Sequence, residues 1–459
     1  MCKSSYYSPA KIAELLQREK NVFFIGIGGV SMSSLAEIAA DKGYAVSGSD
    51  RAPGEVTEAL KKHGVTVYEG HDERHCIGST VFVYNAAIRA DNPEYAYAKR
   101  CGYPLIRRAD FLGYVVTFFG RSVGVAGTHG KSTSTAMLGS ALIAAGLDPT
   151  VLNGAVMRDC RSSYKRGGYG YLCFEACEYT DSFLSFFPTV ATVLNVGFDH
   201  ADYFRTQKNY NESFAKYISQ SPCAVVNIDS DNAKEAVKGY KGRLITCGRR
   251  GGADVYPENL DLSGENPEYD AYYRGEFYAH VRLGVPGLHN VDNSLCVIGA
   301  CIMLGVDGAD AAAGIEKFEG VARRFEFKGK CRGADVYDDY AHHPDEIKAT
   351  LTVARKKTKG RVYTAFQPHT YSRTADLYDG FINAFKDCDE VVFCDIYAAR
   401  ETDTLGMSAQ KLAVDTENGS YKGGFGDVAA YLKSVVGPGD TVVVMGAGDV
   451  THLADLLKE

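Results

Sequence analysis

The stretch VGVAGTHGKSTST, residues 123–135, joins an apolar strand pattern to a helical pattern and decides the fold of the middle of the chain. Its small and polar residues are typical of a phosphate-binding loop, but the standard loop has four residues between its first glycine and the Gly-Lys pair. Val125 stands where that first glycine would be. The stretch is therefore consistent with a degenerate P-loop, with another kind of nucleotide loop, or with a tight turn beside an exposed lysine.

The remaining residues of the stretch are those that phosphate chemistry requires. Gly127 and Gly130 allow backbone N–H groups to converge on an anion. Lys131 supplies a positive charge for the β- and γ-phosphates, and the Ser132 hydroxyl is a ligand for Mg²⁺. We therefore expect nucleotide phosphates to bind at this turn.

The same order of strand, turn and helix recurs along the chain, in series that begin near the N-terminus, near Gly120 and after Arg324. Strands that alternate with helices indicate parallel sheets covered on both faces, and 459 residues are too many for one ordinary core. The alternation within residues 261–283 predicts a small antiparallel addition to the middle domain. We predict an α/β protein with a Rossmann-like domain, a central P-loop ATPase-type domain with a parallel sheet, and a C-terminal Rossmann-like domain, at residues 1–119, 120–322 and 323–459.

Composition excludes several classes of protein. Hydrophobic residues make up 45% and charged residues 23% of the chain, which is the balance of a soluble globular protein. The net charge of -7 provides no basic field for a nucleic-acid backbone, so no nucleic-acid partner is expected. Since no stretch reaches about 18 apolar residues and the N-terminus lacks a signal-peptide pattern, we expect a cytoplasmic protein without a membrane partner. The 13 cysteines are scattered without a CxxC pair, which argues against a cysteine zinc site or disulfides.

A second glycine-rich turn follows the first predicted strand. Gly26 permits a tight turn, and Gly28, beside Gly29, lets the backbone approach a pyrophosphate at the start of the next helix. Ser31 occupies the third glycine position of the dinucleotide fingerprint, and Asp50 lies where a ribose-binding acid would be. These residues alone leave open a nicotinamide dinucleotide, a UDP-type pyrophosphate, and a turn that only packing requires.

Two further polar sites end predicted parallel strands, where open α/β sheets place their ligands. Glu175 ends one strand, and the pair Asp199-His200 follows the next. A carboxylate and an imidazole at the edge of the phosphate loop could complete the ligand shell of Mg²⁺. A surface ion pair for Glu175 and a capping or core position for His200 are equally consistent with the residue types.

Together with the opening stretch, further motifs resemble the Mur ligases in order and approximate spacing. The family carries a shortened loop of the form G-T-x-G-K-[ST]-[ST] after an apolar strand, so Val125 fits the family's own pattern. The resemblance covers nearly the whole chain, and its other motifs are FIGIGGVSMSSLAEI, AAIRADNPEY, FEACEYTDSFLSFFPTVATVLNVGFDH, GVPGLHNVDNS, VARRFEF, VYDDYAHHPDE and FQPHTYSRT.

The resemblance implies an amide-bond-forming ligase that uses ATP and Mg²⁺ in cytoplasmic peptidoglycan precursor synthesis. The motifs look most like those of the members that join L-alanine to the lactyl carboxylate of UDP-N-acetylmuramate through an acyl phosphate. The expected substrates are these two small molecules and ATP. The first domain would then hold the UDP-substrate, the second ATP and the third the amino acid.

The resemblance also implies roles for individual residues. The ATP-binding positions are Gly127, Thr128, His129, Gly130, Lys131, Ser132, Thr133, Asn290, Asn293, Arg324 and Asp339. The UDP-substrate positions are Gly26, Gly28, Gly29, Ser31, Asp50 and His129. The amino-acid pocket comprises Tyr340, His342, His369 and Arg373, and the metal ligands are Ser132, Glu175 and His200. The catalytic residues are Lys131, Arg324 and Arg373.

The chain departs from the family's pattern at several positions. Thr370 stands where alanine-adding members commonly have arginine, and Cys177 stands where an aspartate is usual. Residues 85–87 read Asn-Ala-Ala in place of Ser-Ser-Ala. Thr370 leaves open a recycling ligase that attaches a whole tripeptide to the same sugar nucleotide, and a regulatory nucleotide-binding protein without ligase activity is a further alternative.

Overall fold

The computed structural model describes residues 6–52 and 54–459, and their strands form three sheets. Each sheet lies within one of the three predicted sequence ranges, and helices separate most of the strands. The predicted α/β class is therefore confirmed. The boundaries 119/120 and 322/323 stay predictions.

The first sheet begins with a strand of sequence NVFFI, whose last four residues are buried, as expected for a parallel sheet covered on both faces. Its strands are β1 Asn21–Ile25, β2 Ala45–Asp50, β3 Thr66–Glu69, β4 Phe82–Tyr84 and β5 Leu105–Arg107. The helices are α1 Pro9–Glu19, α2 Val30–Asp41, α3 Glu55–Lys62, α4 Pro93–Arg100 and α5 Arg108–Val116. All pairs are parallel, in the order β3-β2-β1-β4-β5, so the predicted βαβ unit at the start of the chain is confirmed.

The second sheet is the largest. Its strands are β6 Arg121–Ala126, β7 Thr150–Met157, β8 Ser162–Lys165, β9 Tyr171–Glu175, β10 Val190–Val193, β11 Cys223–Asn227, β12 Arg243–Cys247, β13 Val255–Asp261, β14 Glu268–Tyr273 and β15 Glu276–Arg282. The helices are α6 Lys131–Ala144, α7 Ala201–Phe204, α8 Gln207–Ser219, α9 Asp231–Ala236, α10 Leu288–Leu304 and α11 Gly308–Lys317. The strand order is β15-β14-β13-β12-β11-β10-β6-β9-β7-β8. The centre is parallel, and β13, β14 and β15 pair antiparallel at one edge, as predicted. The antiparallel pair β7–β8 at the other edge was not predicted.

The third sheet has one antiparallel edge strand on an otherwise parallel sheet. Its strands are β16 Glu326–Cys331, β17 Ala334–Asp339, β18 Val362–Phe366, β19 Glu390–Cys394, β20 Gly419–Gly423 and β21 Thr441–Met445. The helices are α12 Pro344–Lys357, α13 Tyr371–Asp376, α14 Tyr378–Ile382, α15 Ala409–Asp415, α16 Phe425–Val435 and α17 Thr451–Leu457. The strand order is β16-β17-β21-β18-β19-β20, with β16 antiparallel to β17.

The strand order of the second sheet positions the candidate site. Strand β6 lies between β9 and β10, and all three are parallel. Their carboxyl ends therefore meet at one edge, where open α/β sheets bind ligands. Among the described residues, no helix combines the length and the apolar character needed to cross a membrane.

Candidate active site

The phosphate loop occupies the sharp connection between β6 and α6. Gly127 and Gly130 have φ angles of 148° and 85°, which residues other than glycine rarely adopt. A Cβ atom at Gly130 would also overlap the side-chain oxygen of Asn293, from α10. Both glycines are therefore required by backbone conformation, and the second also by close packing.

Residues that follow β10 hold the loop in place. The Asn195 side chain accepts a hydrogen bond from the His129 amide and donates one to the His129 carbonyl, both at 2.9 Å. The Thr128 hydroxyl donates to the Gly197 carbonyl at 2.7 Å and accepts from the Gly197 amide at 2.9 Å. Two side chains thus fix the loop without using the N–H groups at the start of α6.

Lys131 is partly buried and folds back over its own loop. Its Nζ donates to the carbonyl of Gly127 at 2.6 Å and to that of Thr128 at 3.1 Å, and it lies 3.0 Å from Glu178 Oε2. Burial works against the charged form, but Glu178 raises the pKa of Lys131 above its ordinary value. Burial likewise opposes the charge on Glu178, yet Lys131 and His200 lower the pKa of that carboxyl. The loop therefore contains a charged lysine that is paired before any phosphate binds.

The predicted metal ligands lie on both sides of this ion pair. Ser132 Oγ donates to Glu175 Oε2 at 2.7 Å, and the Gly154 amide donates to the same oxygen at 3.0 Å. His200 Nε2 lies 3.5 Å from Glu178 Oε1. The serine and glutamate oxygens are the hard donors that Mg²⁺ prefers. Sequence reasoning assigned no role to Glu178, although its place three residues after Glu175 was a usable signal.

Part of the predicted ATP site is a cavity of about 370 Å³ between the second and third sheets. Asp339, at the end of β17, lines it, and burial raises the pKa of its carboxyl to about 6. That carboxylate accepts hydrogen bonds from the Phe325 and Ala341 amides, both at 2.7 Å. Seven predicted ATP-binding residues line this cavity, namely His129, Gly130, Thr133, Asn290, Asn293, Arg324 and Asp339.

Glu346, on α12, connects the phosphate loop to the third sheet. Its Oε1 lies 3.0 Å from His129 Nδ1 and 3.5 Å from Arg324 Nη1, and its Oε2 accepts from the His342 amide at 3.1 Å. Burial opposes its charge, but His342, His129 and Arg324 hold the pKa of Glu346 well below its usual range. Sequence reasoning assigned no role to this residue, because its contact with His129 joins positions 217 residues apart.

The structure brings the four predicted amino-acid pocket residues together. Arg373 Nη1 lies 3.3 Å from His369 Nδ1, the rings of His369 and His342 are 6.1 Å apart, and the rings of His342 and Tyr340 are 5.3 Å apart. Arg373 Nη2 also donates to Asp199 Oδ1 at 3.2 Å. Since Asp199 immediately precedes His200, the pocket meets the predicted metal site.

Ionisation in this pocket follows from burial and from its charged pairs. Burial lowers the pKa of His342 to about 4, so the ring is neutral at neutral pH. Burial opposes the charge on Asp199, but His200 and Arg373 hold the pKa of that carboxyl well below its usual range. Thr370, which has a φ of 63°, caps α13 by accepting a hydrogen bond from the Arg373 amide at 3.4 Å.

The first glycine turn is held by a side chain from the same sheet. The Gly28 amide donates to Asp50 Oδ2 at 2.7 Å, and a Cβ atom at Gly28 would lie 2.8 Å from the same oxygen. Gly26 has a φ of 77°, and Gly29 is the N-cap residue of α2 without a side-chain cap. Arg108 Nη1 donates to Ser31 Oγ at 3.1 Å, a contact that the sequence did not reveal. The carboxylate of Asp50 thus already stabilises the turn itself.

Models of known protein families match all three parts of the chain. The family models described as Mur ligase family, catalytic domain, as Mur ligase middle domain and as Mur ligase, glutamate ligase domain match residues 21–119, 125–301 and 323–448. The chain belongs to the Mur ligase family. The resemblance inferred from the motifs is therefore confirmed.

Individual Mur ligases match over nearly the whole chain. The UDP-N-acetylmuramate--L-alanine ligase of Caldicellulosiruptor bescii is 39% identical over 446 residues, which are 95% of this chain and 97% of that protein. The crystal structure of the UDP-N-acetylmuramate-alanine ligase from Thermotoga maritima has a TM-score of 0.78 at 25% identity and covers 95% of this chain and 97% of its own. A murein peptide ligase from Psychrobacter arcticus shares the fold, with a TM-score of 0.69 at 24% identity and coverage of 95% and 98%.

Proposed function

We propose that this Mur ligase joins L-alanine to the lactyl carboxylate of UDP-N-acetylmuramate at the expense of ATP, in cytoplasmic peptidoglycan precursor synthesis. The 39% identity to an alanine-adding relative over 95% of the chain supports this activity. The UDP-substrate would bind at residues 1–119, ATP at residues 120–322 and the amino acid at residues 323–459. The absence of a membrane-spanning helix among the described residues is consistent with a cytoplasmic enzyme.

The reaction consists of two displacements. A lactyl carboxylate oxygen attacks the γ-phosphorus of ATP, the bond to the β-phosphate oxygen breaks, and an acyl phosphate and ADP form. The amine of L-alanine then attacks the acyl carbon, the carbon–oxygen bond to phosphate breaks, and the ammonium proton is lost to solvent or a base. The first step brings an anionic carboxylate to an anionic phosphate, and the second releases an anionic phosphate, so the site must supply positive charge.

The chain's own residues can supply much of that charge. Lys131 holds its ammonium at the loop where the phosphates would lie, and Arg324 lines the adjoining cavity from the third part. Ser132 and Glu175 offer neighbouring oxygen donors that fit Mg²⁺, with His200 as the third predicted ligand. When bound, Mg²⁺ would neutralise charge that develops on the phosphates.

One observation carries the proposal most directly. Arg373, which suits a forked pair of hydrogen bonds to an amino-acid carboxylate, lies 3.2 Å from Asp199, next to the predicted metal ligand His200. An amino acid held by Arg373 would therefore be near the place where the acyl phosphate forms. A nucleotide-binding regulator without ligase activity would not need this pocket.

Phosphate release tests the activity and its acceptor. The assay would contain Mg-ATP and UDP-N-acetylmuramate with L-alanine, glycine, L-serine or the tripeptide L-alanyl-γ-D-glutamyl-meso-diaminopimelate as acceptor. We expect release that depends on the sugar nucleotide and is fastest with L-alanine. Release only with the tripeptide would instead establish the recycling ligase, which Thr370 leaves open, and release without any acceptor would exclude both.

A further inference from the structure

Three potential metal ligands that lie outside the predicted Mg²⁺ site converge where α12 begins beside the phosphate loop. They are His129, from the loop, and His343 and Asp345, from the third part of the chain. Their ligand atoms all lie within 4.8 Å of one another. The predicted Mg²⁺ ligands form a different group, so this cluster requires its own explanation.

The His129 ring is oriented as a ligand would be. Its Nδ1 lies 3.0 Å from Oε1 of Glu346, a carboxylate whose pKa is held well below its usual range. The carboxylate accepts the hydrogen bond, so the proton lies on Nδ1 and the lone pair is on Nε2. A carboxylate bonded to the second nitrogen is the common way in which proteins orient a metal-binding histidine.

His343 contributes a polar atom that the fold leaves without a partner. The residue is only 8% exposed, and its Nε2 has no hydrogen-bond partner among the residues that the structure describes. Its ring centre lies 5.0 Å from that of His129. An unpartnered buried nitrogen costs free energy, which a bound ligand would recover.

The His343 ring is also available in its neutral form. Burial, with His129 nearby, lowers the pKa of His343. In the structure Nδ1 accepts a hydrogen bond from the Asp345 amide, so the neutral ring carries its proton on Nε2, and this proton must move before Nε2 can bind a cation. Coordination through Nε2 places the ring proton on Nδ1, which lies 3.8 Å from a carboxylate oxygen of Asp345. This arrangement replaces the 3.3 Å contact that Nδ1 now accepts from the Asp345 amide.

We propose that His129, His343 and Asp345 form a binding site for a divalent transition-metal cation of the zinc class. Two imidazoles and one carboxylate are a ligand set that Zn²⁺ accepts, with a fourth position left for a water molecule or another oxygen donor. His129 and Asp345 line the nucleotide cavity, so the fourth position is accessible from it. Because the ligands come from two parts of the chain, the cation fastens α12 to the phosphate loop.

The test titrates Zn²⁺ alone into the full, reduced, metal-free chain by calorimetry, in excess Mg²⁺ to occupy oxygen-rich sites. We expect one tight Zn²⁺ per wild-type chain. His343→Ala and Asp345→Asn should each weaken binding by at least about 100-fold, and Glu346→Gln by about 10–100-fold, because Glu346 orients His129. Co²⁺ should give tetrahedral visible bands without the strong near-ultraviolet band of thiolate ligation.

The matched control is His280→Ala, which removes an exposed histidine whose Nδ1 lies 2.8 Å from a carboxylate oxygen of Asp270 and should leave Zn²⁺ binding unchanged. Asp345 has a 71% exposed side chain, so Asp345→Asn should fold normally even if His343→Ala does not. Coincident titrations of the wild type and both variants, no binding to the wild type, or a thiolate band in the Co²⁺ complex would overturn the proposal. Since no ATP or sugar nucleotide is present, none of these results depends on the ligase activity.

Discussion

The two glycine-rich turns have the same backbone arrangement, but different side chains contact them. In each, a parallel strand leads into a helix whose N-cap glycine, Gly29 or Gly130, provides no side-chain cap. Asp50, from the same sheet, contacts the first turn, whereas the phosphate loop contains Lys131 and is contacted by Glu346 of α12, in the third part of the chain. The backbone of either turn suits an anion. A lysine within the loop itself and groups from another part of the chain distinguish the loop that we expect to support phosphoryl transfer.

The largest effect is expected from removing the charge of the phosphate loop. Lys131→Met should lower kcat by about 10²–10³-fold, because stabilisation of the transferring phosphoryl group is lost. It should also lower the free energy of unfolding by about 3–5 kcal/mol, because Glu178 is left buried without its partner. Steady-state phosphate release and urea unfolding measure the two effects.

A double variant separates these two effects. Lys131→Met combined with Glu178→Gln removes both charges, so stability should largely recover while turnover stays low. UDP-N-acetylmuramate should still bind to both variants, because the first turn belongs to another sheet. Recovery of turnover in the double variant would show that the lysine charge serves the fold and not the reaction.

A second prediction concerns the histidine that contacts the phosphate loop through Glu346. The pKa of His342 is about 4 in the folded chain and about 6.5 when unfolded, so only the unfolded state gains its proton between these values. Its contribution to stability is fully present above pH 6.5 and is lost as pH falls towards 4, by about 3 kcal/mol in total.

Urea unfolding at pH 7.5 and pH 5 measures this loss. His342→Asn can keep the donor to the Tyr340 carbonyl but has no titrating ring, so stability should fall less between the two pH values than in the wild type. His280→Ala, on the exposed edge hairpin, is the control and should follow the wild type. An equal pH dependence in His342→Asn would contradict the buried, neutral state of His342.

A third prediction concerns Arg373 in the predicted amino-acid pocket. Arg373→Ala should raise the KM for L-alanine by about 10–100-fold, because charge-assisted hydrogen bonds contribute about 1.5–3 kcal/mol. Arg373→Lys should recover little, since lysine lacks the forked donor geometry. KM for each substrate would be measured separately, with Arg361→Ala as a control at an arginine that packs on Tyr363. A KM for L-alanine that does not change would remove Arg373 from the pocket.

The smallest effect is expected at the first turn. Gly28→Ala pushes a Cβ atom against Asp50, and overpacking of this kind costs about 1–3 kcal/mol, so the KM for UDP-N-acetylmuramate should rise about tenfold. The KM for ATP should not change if the two turns act separately. Gly54→Ala is the control, because an added Cβ there meets no atom within 4 Å. Equal changes in both KM values would contradict the separation of the two turns.

The extent of correct prediction differs between the fold and the site. The parallel strands and the connection from strand to helix at residues 123–135 were predicted, because continuous apolar runs and glycine turns are local signals. The hairpin β7–β8 was missed, since the second half of β7 lies at a partly exposed edge and carries Gly154. Within the site, the residues assigned by motif lie together, whereas Glu178, Glu346 and Arg108 received no role.

The sequence by itself determined the α/β class, the two glycine turns and the membership of the Mur ligases, because each depends on residues that are close together along the chain. Only the tertiary structure decided which charges meet. Glu346 lies 217 residues from His129, and Arg373 lies 174 residues from Asp199, yet each pair is in hydrogen-bonding contact. Local patterns specify strands and helices, but contacts between parts of the chain depend on how whole sheets and helices pack, and no short stretch encodes that packing.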